Sequence, residues 1–154
     1  MKKFPQRKPL RLQGYDYSHD GIYFITICVQ GREEMLSKII LKNIDDTTSA
    51  TIQLTEYGIV AEKYTKTLPG ILNYVIMPNH IHMLIKIDST PFPRQSISQR
   101  VSSFKNLVTK EVGFSLFQRS FHDHIIRNEK EYLQIKKYIE NNAATWAQDC
   151  FFQK

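Results

Sequence analysis

The run from Asn73 to Ile87, which reads NYVIMPNHIHMLIKI, constrains the fold more than any other part of the chain. Side chains on a strand alternate between faces, so His80 and His82 project together while Ile81, Met83, Ile85 and Ile87 line the opposite side. One face of that strand needs an apolar core against it. The other carries two imidazoles on a rigid platform, either as a grip for a divalent cation or as polar residues on the wetter face of a half-buried strand. A second pair, His122 and His124, has the same spacing, so other residues must decide.

The chain has 154 residues, 42% of them hydrophobic and 23% charged, which suits one domain, 1–154, with a full-sized core. A basic arm at about residues 1–18 precedes it. The two cysteines, Cys28 and Cys150, lie far apart and form no CxxC pattern, as expected of a protein in a reducing cytoplasm. The basic start Met1-Lys2-Lys3-Phe4-Pro5-Gln6-Arg7-Lys8-Pro9 lacks the apolar segment of a secretory signal, and the chain holds no apolar run long enough to span a bilayer. A net charge of +6 points toward a polyanionic partner, most simply nucleic acid, although a merely soluble basic surface has the same composition.

Along the chain, Gly21 to Gln30 is rich in β-branched and aromatic residues and predicts a buried first strand. Two short apolar runs, Met35 to Leu41 and Thr51 to Leu54, flank a polar stretch and predict a β-hairpin. Thr55 to Leu68 has helical spacing and meets a Pro69-Gly70 stop, after which comes the histidine strand. A second helix from about Ser96 to Val112 carries Ile97, Val101, Phe104 and Val108 on one face, with Arg100, Lys105 and Lys110 elsewhere around it and Gly113 at its end. Phe117 to Ile126 reads as a last strand. Asn128 followed by Glu131 resembles a capping arrangement for a final helix running to about Trp146. This order suits an α+β fold, a ferredoxin-like antiparallel sheet with helices packed on it and a β-hairpin inserted after the first strand.

Two histidines leave a metal site underfilled, so a third donor is expected. On the last helix Gln134, Tyr138 and Asn142 recur every four residues and share a face, which places a phenol beside an amide oxygen. Tyr138 could equally be a packing residue beside the Tyr132, Ile135, Ile139 stripe, and Asn142 a helix-end residue.

The chain resembles the REP-associated branch of the single-tyrosine HUH transposases, relatives of the IS200-like transposases. The resemblance rests on Arg11-Leu12, Tyr15-Asp16-Tyr17, Tyr23-Phe24-Ile25-Thr26, Met77-Pro78-Asn79-His80-Ile81-His82, Phe104-Lys105, Asp123-His124-Ile125-Ile126-Arg127-Asn128-Glu129, and Tyr138-Ile139 followed by Asn141-Asn142 and Trp146. It implies His80 and His82 as metal ligands, Tyr138 as nucleophile and Asn142 as third ligand. The implied reaction is DNA nicking and strand transfer through a 5′-phosphotyrosine, on single-stranded DNA beside hairpins. Magnesium or manganese (Mg2+ or Mn2+) is the implied cofactor, although the histidines would also accept zinc.

A phenol of pKa about 10 is only about one part in a thousand ionised at neutral pH, so such a nucleophile needs an activating cation. Arg119, Arg127, Lys105 and the arm residues Arg7, Lys8 and Arg11 are candidate DNA contacts, with ordinary solvated charge as the competing reading. His124 is expected to support the fold or face DNA instead of ligating metal. Relatives commonly carry proline where this chain has Ala143, so the last helix is expected to run past Asn142. Phe117 stands where tryptophan is common, a change in packing. A hairpin-binding protein that does not cut is the alternative activity, and monomer and homodimer are both open.

Overall fold

The structure is a computed structural model that describes residues 21–44, 47–88 and 95–146. Arg7, Lys8, Arg11, the basic arm and Cys150 lie outside the described residues. Strands β1 (Gly21–Cys28), β4 (Ile71–Ile76), β5 (His80–Ile87) and β6 (His122–Ile125) form one antiparallel sheet in the order β4-β5-β1-β6, and β2 (Ser37–Ile44) with β3 (Thr47–Leu54) forms a separate two-stranded hairpin. Helix α1 (Glu56–Lys66) connects β3 to β4, α2 (Ile97–Val112) connects β5 to β6, and α3 (Glu129–Glu140) follows β6. This is the expected ferredoxin-like order with a hairpin inserted after the first strand.

Alternation along the two central strands sorts the core into two layers. Tyr23, Ile25, Ile27 and Val29 join Ile81, Met83, Ile85 and Ile87 beneath α1 and α2, where Ala61, Ile97, Val101, Phe104 and Val108 meet them. On the reverse face, Leu84 and Val75 are covered by Ile139 of α3, with Phe24, Tyr132, Ile135, Trp146 and the hairpin's Ile39 and Ile52 around them. The histidines lie on this second face, beneath the layer that carries α3.

Local signals explain where the helices start and stop. Thr55 caps α1 by accepting from the Gly58 amide at 3.1 Å, Ser96 and Gln99 form a capping box on α2, and Gly113 ends α2 at φ 91°. Asn128 caps α3 by accepting from the Glu131 amide at 2.8 Å. Gly58 is required for another reason, because a Cβ there would stand 1.9 Å from the Leu36 carbonyl oxygen.

Four expectations need correction. The histidine strand does not run unbroken from Asn73 to Ile87. It folds back at Pro78-Asn79, with the Met77 amide donating to the His80 carbonyl at 2.9 Å, and so gives both β4 and β5. Pro78 cannot donate to a ladder, which makes it a turn residue. The last strand is shorter than Phe117 to Ile126. Phe117 makes only an isolated bridge to Val29, and the carbonyls of Gln118, Arg119 and Ser120 turn to the Lys105 ammonium instead of a neighbouring strand.

Helix α3 stops at Glu140, well before Trp146. From Asn142 the backbone tightens, its amide donating to Ile139 at 3.3 Å, and the turn carries Asn142 and Trp146 inward. Ala143 permits a longer helix, but tertiary burial overrides a weak local preference. Finally, Arg100, expected away from the apolar face of α2, lies among its buried residues. It is buried, donates to the carbonyls of Pro69 and Lys86, and the desolvation lowers its pKa from the ordinary guanidinium value.

Candidate active site

Strand pairing places β1 beside the histidines, with Thr26 opposite His82 and Cys28 opposite His80. The imidazoles themselves are buried, at 0% exposure for His80 and 2% for His82. Asn79 Oδ1 lies 2.7 Å from His80 Nδ1, while its own amide nitrogen donates to the Arg32 carbonyl at 3.3 Å, which settles the orientation of the amide. An amide oxygen only accepts, so Nδ1 of His80 carries the proton and Nε2 presents a lone pair.

Thr26 Oγ1 is 2.9 Å from His82 Nδ1, and the two Nε2 atoms face each other at 3.0 Å. Two bare lone pairs at that distance repel, so either a proton or a cation must lie between them. A threonine hydroxyl can donate or accept, and therefore serves His82 in either tautomer.

The residues fit a divalent cation. Two nitrogens bound ~2.1 Å from one cation, at right angles to each other, stand ~3.0 Å apart, which matches the Nε2 separation. Among the described residues no group of three or more His, Cys, Asp or Glu side chains could hold a metal. Among the described residues, a third protein donor would then be of another residue type. Asn142 is 0% exposed, and among the described residues its Oδ1 and Nδ2 have no hydrogen-bond partner. It sits in sequence midway between two residues that touch the histidines.

Those two residues are Tyr138 and Trp146. Tyr138 tilts against His82 with ring centroids 5.4 Å apart, and Trp146 stacks on His80 at 6.1 Å and 21°. Phe24 supports both sides of the first contact, lying 5.1 Å from the His82 ring and 6.3 Å from that of Tyr138. At 40% exposure Tyr138 is open to solvent, unlike the imidazoles beneath it. Tyr138 of α3 and the histidine pair of β5 thus come together although far apart in the chain, and Asn142 is buried on the turn that follows α3. Gln134 shares the exposed side of α3 but has no contact with the imidazoles among the described interactions.

The candidate DNA contacts are more scattered. Lys105 donates to three carbonyls at 2.7, 3.0 and 3.1 Å and lies over the Phe121 ring, so its three protons already have acceptors. Arg119 is exposed in the loop between α2 and β6, and Arg127 is exposed where β6 leads into α3. His124 donates to Glu131 and ties β6 to the first turn of α3, a supporting role. That bond holds the Glu131 carboxyl below the usual carboxylate range.

The family described as "Transposase IS200 like" matches residues 18–142, most of the chain. The chain belongs to the IS200-like transposase family. An uncharacterized protein of Haemophilus influenzae is 34% identical to this transposase-family chain over 93% of its length and 91% of its own. The structure of a REP-associated tyrosine transposase bound to a REP hairpin has the same fold, with a TM-score of 0.59 and 20% identity over 97% of this chain and 76% of that one. Within this family member, Thr26, Phe24 and Asn79 are the parts of the site that strand alternation alone did not reveal. Their signals were position, since Phe24 and Thr26 share a face of β1 and Asn79 directly precedes His80, and their place within stretches that carry the resemblance.

Proposed function

We propose that this IS200-like transposase nicks and rejoins single-stranded DNA next to hairpins, with Tyr138 as its nucleophile. The observation that carries this reading is the solvent-open Tyr138 set against the buried His82 ring. The phenol gives up its proton, and its oxygen forms a bond to phosphorus. The phosphorus bond to the 3′-oxygen breaks, that oxygen takes a proton and leaves as a 3′-hydroxyl, and the DNA remains on Tyr138 as a 5′-phosphotyrosine. Reversal with a different 3′-hydroxyl joins strands.

His80 and His82, with Asn142 as third ligand, would hold magnesium or manganese. When bound, the cation polarises the phosphate, favours the phenolate and offsets charge on the leaving oxygen. Asn79 and Thr26 orient the imidazoles, and Phe24 limits the position of Tyr138. Partner choice follows the similarly folded REP-associated transposase, which was solved bound to a REP hairpin. Arg119 and Arg127, with the arm residues Arg7, Lys8 and Arg11, are proposed to meet phosphates. Lys105 joins them only if DNA displaces one of its carbonyl partners. One domain carries the activity, in the cytoplasm. Among the described residues no helix is long and apolar enough to cross a membrane.

The alternative, a hairpin-binding protein that does not cut, has two motives, Ala143 and the third ligand, for which Asn142 is a proposal. With α3 ending at Glu140 the first lends it no support, and the second stands. Incubation with a labelled single-stranded hairpin oligonucleotide and manganese should trap a covalent adduct that Tyr138→Phe abolishes. An adduct that survives Tyr138→Phe but disappears in Tyr132→Phe refutes the nucleophile, and hairpin binding without cleavage under any divalent metal favours the alternative.

A further inference from the structure

Beside the histidines lies a groove of about 620 Å³ between β2 and the turn that follows α3, lined by Glu34, Lys38, Leu41, Pro78, Ala144 and Trp146 among others. Its volume falls within the roughly 300–1,000 Å³ of small-molecule sites. The charges of Lys38 and Glu34 offset one another, and apart from Ser37 the rest of the lining is apolar, with Leu41 at 64% exposure. Such a groove suits an uncharged flat ring better than a phosphate.

Two of its residues also belong to the candidate active site. Pro78 forms the turn that leads into Asn79 and His80, and Trp146 stacks on the His80 ring. The groove therefore adjoins the histidine pair across Trp146 and Pro78, on the His80 side. Tyr138 approaches from the other side, against His82.

In an in-line displacement the attacking and leaving oxygens lie on opposite sides of phosphorus. With the tyrosine oxygen entering by His82, the 3′-oxygen departs by His80, toward Trp146. We infer that this groove is the subsite for the base of the nucleotide immediately 5′ to the scissile phosphate, the one whose 3′-oxygen leaves, with Trp146 as its stacking platform. The inference rests on the proposed nicking reaction and adds the side on which the leaving nucleotide is held. A base held there keeps the freed 3′-hydroxyl near the phosphotyrosine and so favours rejoining over loss of the strand.

Trp146 is the sole tryptophan of the chain, so its fluorescence reports on the groove directly. The test uses the full chain carrying Tyr138→Phe and a DNA hairpin flanked on both sides by single-stranded oligothymidylate. Binding should quench Trp146 fluorescence, and replacing the flanking thymidines by abasic residues should weaken binding by about tenfold and remove most of the quench. Because Trp146 is partly buried and packs against the core, Ala144→Glu serves as a second variant on an exposed residue of the groove. It should weaken binding by about tenfold through repulsion of the DNA, whereas Ala144→Lys should not.

In the unmodified protein, once the adduct position is mapped, a single abasic residue 5′ to it should slow nicking by about tenfold and one 3′ to it should not. Hairpin binding with unchanged Trp146 fluorescence, and equal affinity for the abasic flanks, overturns the subsite while leaving the DNA reading intact. Slowing only by the 3′ abasic residue overturns the side assigned. Failure of both binding and adduct formation overturns the proposed function itself.

Discussion

Asn79 Oδ1 stands 2.7 Å from Nδ1 of His80, and the amide is anchored from behind by its bond to the Arg32 carbonyl. This neighbour in sequence decides which nitrogen of His80 faces the candidate cation site. Asn79→Leu should weaken divalent-cation binding by about 10–100-fold, the usual cost of losing an outer partner of a ligating histidine. Titration followed by the electron paramagnetic resonance of Mn2+ reads the affinity without requiring activity. Asn79→Asp, which keeps an acceptor, should bind the ion at least as well as the parent.

Thr26 makes the corresponding contact to His82 from β1, at 2.9 Å. Thr26→Val retains the shape and removes the hydroxyl, so the fold should change in stability by only about 1 kcal/mol. Metal affinity should fall more clearly, as the manganese titration would show. Equal Mn2+ affinities for parent and variant would argue against Thr26 as a positioning residue.

Lys105 offers a contrast between two roles. Its ammonium bonds the carbonyls of Gln118, Arg119 and Ser120, so Lys105→Met leaves three acceptors, that of Gln118 part-buried, without that partner. A loss of about 1–3 kcal/mol in urea unfolding is expected. If Lys105 served only as a surface phosphate contact, stability would be unchanged and the salt dependence of DNA binding would fall by about one counterion.

Gly58 and Gly113 should respond differently to alanine. At Gly58 the new Cβ would meet the Leu36 carbonyl oxygen at 1.9 Å, within backbone that cannot swing aside. At Gly113 the space is open and only the left-handed φ of 91° resists. Gly58→Ala should cost about 3 kcal/mol or prevent folding, and Gly113→Ala about 1 kcal/mol. Chemical denaturation of the two variants provides the comparison.

Acid should loosen the first turn of α3. The hydrogen bond from His124 depresses the Glu131 carboxyl below its ordinary value. A depressed carboxylate contributes stability above its unfolded pKa and loses that contribution as pH falls through the folded one. The amide protons of the Asn128–Glu131 cap region should therefore lose protection, measured against the unstructured exchange rate at the same pH, as pH drops through and below the ordinary carboxylate range. Glu131→Gln should flatten that dependence, and both groups are exposed enough for the effect to stay small.

Much of this was legible because local physics suffices for it. Alternation put His80 and His82 on one face and Ile81, Met83, Ile85 and Ile87 on the other, and the layers of the core follow that division. Thr55, Ser96, Asn128 and Gly113 mark helix ends through bonds made within a few residues. The turn at Pro78-Asn79 was signalled by proline yet hidden by the apolar residues on both sides, which fit one long strand as well as two short ones.

The amino-acid order by itself determined most of the elements, their buried faces and the two histidines as a pair, though not the division of the histidine strand into β4 and β5. Only the tertiary structure decided that β1 supplies Thr26 and Phe24 to those histidines, and that Tyr138 rests on His82 while Trp146 rests on His80. It also decided that α3 yields at Glu140 so that Asn142 can turn inward. The reason is one of range. Alternation, capping and turn preferences act over a few residues, whereas Thr26 and His82 are 56 positions apart and meet only because two strands pair in one register.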